Sequence, residues 1–276
     1  MAKHIVLFVL TAVSTYFVAA RYSFDLKYFV DGISYSASIM TILLAHEMGH
    51  YSMSRRYGVP STLPYFIPFP FSPFGTFGAI IKMKGIIINK KALFDIGVAG
   101  PLMSFILSVP CLFFGMRLSR VIPINESLQE GRLGEPLLLK LIQRVTLGQL
   151  SPESDVLLHP LGYAGWVGLF VTALNLLPVG QLDGGHIVYA VFGQKSKWAF
   201  AGSMFALIVL ALLYNPGWLA LVILLLIFGM RHPHPLDPET PLDGPRKILA
   251  CFMLLVFVLS FTPAPFPGLR LNLFGK

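Results

Sequence analysis

Apolar residues fill most of the chain in long runs separated by short polar segments, with little of the alternation that marks a half-buried surface. The runs fall at about 4–20, 34–54, 93–116, 161–192, 197–214, 217–230 and 247–262. A helix crosses hydrocarbon in roughly 20 residues, so the pattern predicts about six to seven transmembrane helices rather than a single anchor. The run at 217–230 is short for a full crossing. It is expected to pair with the run before it as a helical hairpin across the turn Asn215-Pro216-Gly217.

Two stretches break the pattern. Between the second and third runs, Pro60, Pro64, Pro68, Pro70 and Pro73 alternate with Tyr65, Phe66, Phe69, Phe71, Phe74 and Phe77, a proline density that forbids a helix. Gly78 to Gly85 follows, bounded by glycines and alternating apolar with basic residues near its end, and predicts a short strand over 78–84. Lipid cannot satisfy the backbone of an apolar, non-helical segment, so this one should be buried in protein or line a cavity. The other break, 117–160, is the longest polar segment. Within it Leu137, Leu138, Leu141 and Val145 share a helical face opposite Lys140 and Arg144, which fits a helix lying on the membrane surface or packed in a loop. The expected fold class is therefore an all-α polytopic membrane protein with a short membrane-associated β element between the second and third spans. A single integral membrane domain over 1–276 is expected, with a core at about 34–192 and flanking spans at 4–20 and 197–262.

Composition agrees. The chain is 55% hydrophobic and 12% charged, with a mean hydropathy of +0.71, whereas soluble domains are about one-quarter charged. The net charge of +8 is dispersed over loops between apolar runs, so it reads as membrane orientation and not as a nucleic-acid surface; the expected contact is the lipid bilayer. Arg55, Arg56, Lys82, Lys84, Lys90 and Lys91 meet no acidic residue until Asp95, which assigns the 55–92 side to the cytoplasm. Lys3 and the run His4–Ala20 imitate a signal sequence but serve equally as a first span, and no Arg- and Ser-rich leader precedes them. A prokaryotic plasma membrane is the expected location. Cys111 and Cys251 lie in apolar runs without a CxxC partner, so any metal site must use histidine and carboxylate.

Ionisable groups inside the runs carry the chemistry. Of thirteen acidic residues, Glu47 and Asp183 sit well inside and Asp95 at a margin; of seven histidines, His46, His50 and His186 do. Each costs about 2.5–3.5 kcal/mol at a bilayer centre even on a lenient scale, which makes each a functional candidate. His46-Glu47-Met48-Gly49-His50 is an HExxH sequence in a helix-compatible run. Residues four apart share a helical face, so both imidazoles can reach one zinc while Glu47 lies close enough to take a proton from a water there. A catalytic zinc also needs a third protein ligand and an open position. Asp183, in Asn175-Leu176-Leu177-Pro178-Val179-Gly180-Gln181-Leu182-Asp183-Gly184-Gly185-His186, offers a carboxylate where Pro178 and the glycines loosen the helix. His4, His159, His232 and His234 fall at span ends or in loops.

Taken together, HExxH, Asn-x-x-Pro-x-x-x-x-Asp-Gly, and Gly100-Pro101-Leu102-Met103-Ser104 between them resemble the site-2 protease family of intramembrane metalloproteases. The phrases Phe77-Gly78-Ala79-Ile80 and Lys91-Ala92-Leu93-Phe94-Asp95, with the stretch from Leu174 to His186, look most like its EGY-like prokaryotic and plastid branch. The resemblance covers about 34–192. It implies one zinc per chain held by His46, His50 and Asp183, Glu47 as general base, and Asn175 orienting substrate or stabilising an oxyanion. Asn175 is equally readable as a helix-to-helix hydrogen-bonding residue. His186 is expected to support the ligands instead of binding metal. Gly100 and Ser104, four apart, are expected to permit close helix packing. The expected partners are single-span membrane-protein substrates. A cation transporter and an inactive helix-binding relative are the competing readings; a transporter tolerates Glu47→Gln, and a protease does not.

Overall fold

The structure, a computed structural model, describes residues 1–20, 25–123, 132–228, 235–237 and 239–267; His232 and His234 lie outside them. In chain order the elements are helices α1 (Ala2–Ala19) and α2 (Leu26–Arg56), strands β1 (Tyr65–Pro68) and β2 (Thr76–Ile80), helix α3 (Lys90–Leu118), strand β3 (Arg120–Pro123), helix α4 (Leu137–Leu147) and strand β4 (Ser154–Leu157). Helices α5 (Pro160–Asn175), α6 (Asp183–Phe192), α7 (Ser196–Leu213), α8 (Gly217–Phe228) and α9 (Gly244–Ser260) follow, with a 3-10 turn at Gly193–Lys195. The molecule is mainly helical. Among the described residues four segments are long and apolar enough to cross a membrane: Ala2–Ala19, Tyr28–Arg56, Lys90–Leu118 and Asp183–Leu213. Helices α5, α8 and α9, at 16, 12 and 17 residues, are shorter.

Two compact units emerge: Met1–Ile86 with Ala99–Ile122 and Leu141–Thr172, and Ile87–Val98 with Pro123–Lys140 and Ala173–Lys276. In the first, α1 and α2 are joined by small hydroxyl residues. Thr15 Oγ1 lies 2.8 Å from Ser36 Oγ, and Ser36 donates to the Ala12 carbonyl at 2.9 Å, as expected where apolar helix faces gain little from excluding water. Ser14 reaches across to the Gly75 carbonyl at 2.6 Å and anchors the loop between β1 and β2 to α1.

That loop corrects the sequence reading. The strand predicted at 78–84 begins two residues earlier and ends at Ile80, and the proline-rich stretch supplies its partner: Tyr65 faces Ile80, Phe66 faces Ala79 and Pro68 faces Thr76 in antiparallel register. Proline excludes helix but is compatible with an edge strand, which is the role the stretch takes here. Residues 82–84 continue the ladder as an isolated bridge, with Ser61 opposite Met83. The turn is fixed by Tyr35 Oη donating to the Phe74 carbonyl at 2.9 Å and Tyr163 Oη to the Pro73 carbonyl at 3.0 Å. Tyr35, Tyr163, Trp166 and Phe170 form a ladder of stacked rings at 5.3, 6.1 and 5.6 Å, against which Phe74 packs. A second two-stranded sheet, β3 with β4, was not foreseen.

Helices α3 and α5 run antiparallel at unusually close range. A methyl group added at Gly115 would lie 2.0 Å from the Gly162 nitrogen, one at Gly165 2.6 Å from the Leu112 nitrogen, and one at Gly168 2.1 Å from Ser108 Oγ. Backbone approach of this kind is what small residues permit.

In the second unit, Arg246 at the start of α9 grips Asp95 in the first turns of α3 through two parallel bonds, Nε to Oδ1 at 2.8 Å and Nη2 to Oδ2 at 2.6 Å, and also meets Asp243. The α7–α8 turn is closed by Gly217 N–H donating to Asn215 Oδ1 at 2.7 Å, the hairpin expected from Asn215-Pro216-Gly217. The run expected as one span at 161–192 is instead two helices: Pro178 and the non-helical stretch 176–182 separate α5 from α6. In α4, Leu139 and Ile142 are buried, while Leu137, Leu141 and Val145 form an exposed apolar stripe beside Lys140 and Arg144.

Candidate metal centre

The HExxH sequence lies in the C-terminal half of α2, a 31-residue helix closed by Arg55 and Arg56, whose charges suit the negative end of the helix dipole. His46, Glu47 and His50 are all buried. The helical repeat brings the two imidazoles together edge to face, with ring centroids 4.8 Å apart and the Nε2 atoms 3.1 Å apart. Two nitrogens on one tetrahedral zinc, each at about 2.05 Å, would be separated by about 3.3 Å, so the pair already has the spacing of two ligands.

Room for this comes from α3. A Cβ at Gly100 would stand 2.1 Å from His50 Nε2 and one at Gly49 2.5 Å from the Ala99 carbonyl, so α2 and α3 meet through glycine on both sides. One turn beyond Gly100, Ser104 Oγ lies 3.2 Å from His46 Nδ1. The expectation that Gly100 and Ser104 serve close packing is right for the glycine and incomplete for the serine, which also touches a ligand.

Asp183 opens α6. The chain reaches it through a tight turn in which Leu182 N–H bonds the Val179 carbonyl at 2.9 Å, and Leu182 caps the helix in extended conformation. A Cβ at Gly184 would sit 2.1 Å from the Leu176 carbonyl, so the Gly184-Gly185 pair lets the stretch after α5 fold against the first turn of α6. The carboxylate sits in the first turn, where the helix dipole favours negative charge. His46, His50 and Asp183 form a group able to hold a metal ion, with one ligand atom from each lying within 4.8 Å of the others. Two imidazole nitrogens and one carboxylate oxygen are a donor set suited to a tetrahedral ion with one position left for water or substrate.

The remaining expected residues fall nearby in sequence but differ in setting. Glu47, between the two histidines, is buried in α2. Asn175 is the last residue of α5 and half-buried. His186 is buried one turn after Asp183; α3 packs on this turn through Gly97, where a Cβ would lie 3.0 Å from His186 Cβ and 3.3 Å from the Asp183 carbonyl. Sequence reasoning missed Thr172, fully buried in α5, whose Oγ1 lies 2.8 Å from Ser104 Oγ. Its only signal was a hydroxyl in an apolar run, and hydroxyls commonly bond their own helix, as Thr172 also does to Gly168.

The chain is similar to known proteins along most of its length. The family model of Peptidase family M50 matches residues 34–214. A protein of Arabidopsis thaliana called "Probable zinc metalloprotease EGY1, chloroplastic" is 35% identical over 245 residues, covering 85% of this chain and 44% of that protein. Its counterpart in Oryza sativa subsp. japonica is 38% identical over 186 residues, 64% of this chain and 31% of that one. The "Probable zinc metalloprotease EGY2, chloroplastic" of Arabidopsis thaliana is 28% identical over 244 residues, 88% of this chain and 44% of the relative. The chain thus spans less than half the length of these curated relatives. Among solved structures, the "Site-2 Protease from Methanocaldococcus jannaschii" aligns with 92% of this chain and 86% of its own at 18% identity and a TM-score of 0.37. With two-thirds of its length matched by the family model, the chain belongs to Peptidase family M50, the site-2 protease family, and the EGY zinc metalloproteases are its relatives.

Proposed function

We propose that this chain is a zinc-dependent endopeptidase that hydrolyses peptide bonds within or beside the transmembrane segments of single-span membrane proteins. The observation that carries the proposal is the pair of buried imidazoles 3.1 Å apart, grouped with the Asp183 carboxylate and with Glu47 between them in sequence. His46, His50 and Asp183 would hold one zinc per chain. When bound, zinc supplies Lewis acidity toward a water and toward the scissile carbonyl. Glu47 takes the proton of the attacking water and delivers it to the leaving amine, so that the C–N bond breaks without expelling an amide anion. Asn175 serves as a donor toward the developing oxyanion.

A substrate helix hides its scissile amide in its own hydrogen bonds and must unwind first. An extended segment would regain main-chain bonds by adding to the outer edge of β2, which carries no further strand among the described residues. Ile81 lies one position beyond β2 and outside its register pairs with β1, so Ile81→Pro should lower cleavage while leaving zinc content unchanged. Cleavage at the wild-type rate would remove this part of the proposal.

The chain is an integral membrane protein. We place its Lys- and Arg-rich 55–92 side toward the cytoplasm or the organellar compartment equivalent to it, with α5 and α9 crossing alongside the four longer segments and the exposed stripe of α4 resting on the bilayer surface. The prokaryotic plasma membrane expected from the sequence draws no support from relatives whose names place them in chloroplasts.

The deciding experiment is reconstitution of wild type and Glu47→Gln with single-span proteins in vesicles. Cleavage should fall by about 10²–10⁴-fold in the variant, the usual share of a general base, at equal zinc content. A variant that cleaves as wild type does would overturn the assignment.

A further inference from the structure

We infer that Ser104 and Thr172 are positioning residues that fix the orientation and tautomer of His46, through a hydrogen-bonded chain running from the metal ligand into the packed α3–α5 seam. The inference rests on the metal-centre reading of His46, His50 and Asp183.

The direction of the chain follows from donor and acceptor capacity. For His46 to offer the Nε2 lone pair that faces His50, its proton must sit on Nδ1. Nδ1 then donates to Ser104 Oγ, 3.2 Å away, so the serine must accept from the histidine. A hydroxyl has one proton. Ser104 spends its own on Thr172 Oγ1 at 2.8 Å or on the Pro101 carbonyl at 3.1 Å, and Thr172 Oγ1 in turn donates to the Gly168 carbonyl at 2.7 Å. A carbonyl only accepts, so the chain terminates there and its polarity is set from that end. The opposite tautomer, with the proton on Nε2, would require Ser104 to donate to Nδ1 and would withdraw the nitrogen from the metal.

The fold makes this arrangement rigid. Ser104 is 2% exposed and Thr172 and Ser108 are 0% exposed, so these bonds lie away from bulk solvent. Register along the seam is set by the glycine contacts Gly115 with Gly162, Leu112 with Gly165 and Ser108 with Gly168; the next step along both helices is Ser104 with Thr172. A side chain larger than hydrogen at Gly165 or Gly168 would meet the Leu112 backbone or Ser108 Oγ, forcing the helices apart and lengthening the Ser104–Thr172 bond. The close helix contact and the histidine's orientation are therefore one feature. A hydrogen bond to the far nitrogen of a ligating histidine is commonly worth about 10–100-fold in metal affinity.

The test uses the full chain in detergent micelles, with zinc affinity measured by chelator competition and cobalt substituted as a spectroscopic probe of ligand geometry. Ser104→Ala should weaken zinc binding about 10–100-fold. Thr172→Val, nearly isosteric but without the hydroxyl, should weaken it about 5-fold, the share of one neutral hydrogen bond, and alter the visible cobalt bands. Thr172→Ser, which keeps the hydroxyl and loses the methyl, should restore both. If Ser104→Ala fails to fold, the Thr172 pair decides alone. Equal zinc affinity in wild type, Thr172→Val and Thr172→Ser, or equal loss in both variants, would overturn the inference while leaving the metal centre standing. Wild type that takes up neither zinc nor cobalt would overturn the metal centre itself, and the inference with it.

Discussion

At the scale of single residues, Gly100 gives the sharpest test of the site's construction. Glycine inside a helix is less favourable than alanine by about 1 kcal/mol, so Gly100→Ala should strengthen α3 taken alone. Here the new methyl would lie 2.1 Å from His50 Nε2, and the imidazole would have to leave its place beside His46. Gly100→Ala is therefore expected to lower zinc affinity by more than about 10-fold while the protein stays folded, measured by chelator competition alongside circular dichroism. Asn175 separates chemistry from packing in a similar way. If its amide meets a developing oxyanion, Asn175→Ala should lower kcat by about 10²–10³-fold with zinc content unchanged; if it only bonds a neighbouring helix, kcat should stay within a few-fold. His46, Glu47, His50 and Asp183 stand out in the sequence as candidates because burial of His and carboxylate in apolar runs is costly and the HExxH spacing puts both imidazoles on one helical face. Thr172 was not legible: hydroxyls in apolar helices usually bond their own backbone, and only the α3–α5 register reveals that this one also reaches Ser104.

At the scale of elements, the long apolar helices and the turn at Asn215-Pro216-Gly217 are legible in the sequence, whereas the complete break between α5 and α6 is legible only as a local loosening. The span expected at 161–192 breaks at Pro178, because the stretch bearing the Asn-x-x-Pro-x-x-x-x-Asp motif turns back on itself to start α6 with Asp183. The proline-rich stretch was recognised as non-helical, but its pairing with β2 depends on contacts to α1 and α5 that lie far away in sequence. One local device has a pH signature. His159 stands just before α5, where its Nδ1 accepts from the Leu161 N–H at 3.2 Å, a role open only to the neutral ring. Burial pushes its pKa below the ordinary histidine value, against a smaller upward pull from Asp31. The folded state thus binds this proton less readily than the unfolded chain. The contribution is fully present above the unfolded value of about 6.5 and is lost as pH falls below it through the folded value. Thermal unfolding between pH 7 and pH 5 should show this acid sensitivity in wild type and less of it in His159→Asn, whose amide oxygen can accept the same bond at either pH.

At the scale of the whole molecule, the site draws on two distant parts of the sequence, and each is held by its own supports. In the second unit the bidentate Asp95–Arg246 pair ties α9 to the first turns of α3, the same turns that receive the Asp183 and His186 turn at Gly97. Arg246→Leu is expected to cost about 1–3 kcal/mol of stability, as for a hydrogen bond to a charged group, and Asp95→Asn in the same chain should recover part of it. Equal and additive losses in a double-mutant cycle would show that the two side chains do not act as a pair. The proposed chemistry requires His46, His50 and Asp183 to meet at one ion. Zinc-edge X-ray absorption on the purified chain, together with metal content, measures that directly. The expected result is one zinc per chain with two imidazole nitrogens and carboxylate or water oxygen at about 2.0–2.1 Å, and loss of that zinc in Asp183→Ala. A wild type without zinc, or an Asp183→Ala variant with the same spectrum and affinity as wild type, would contradict it.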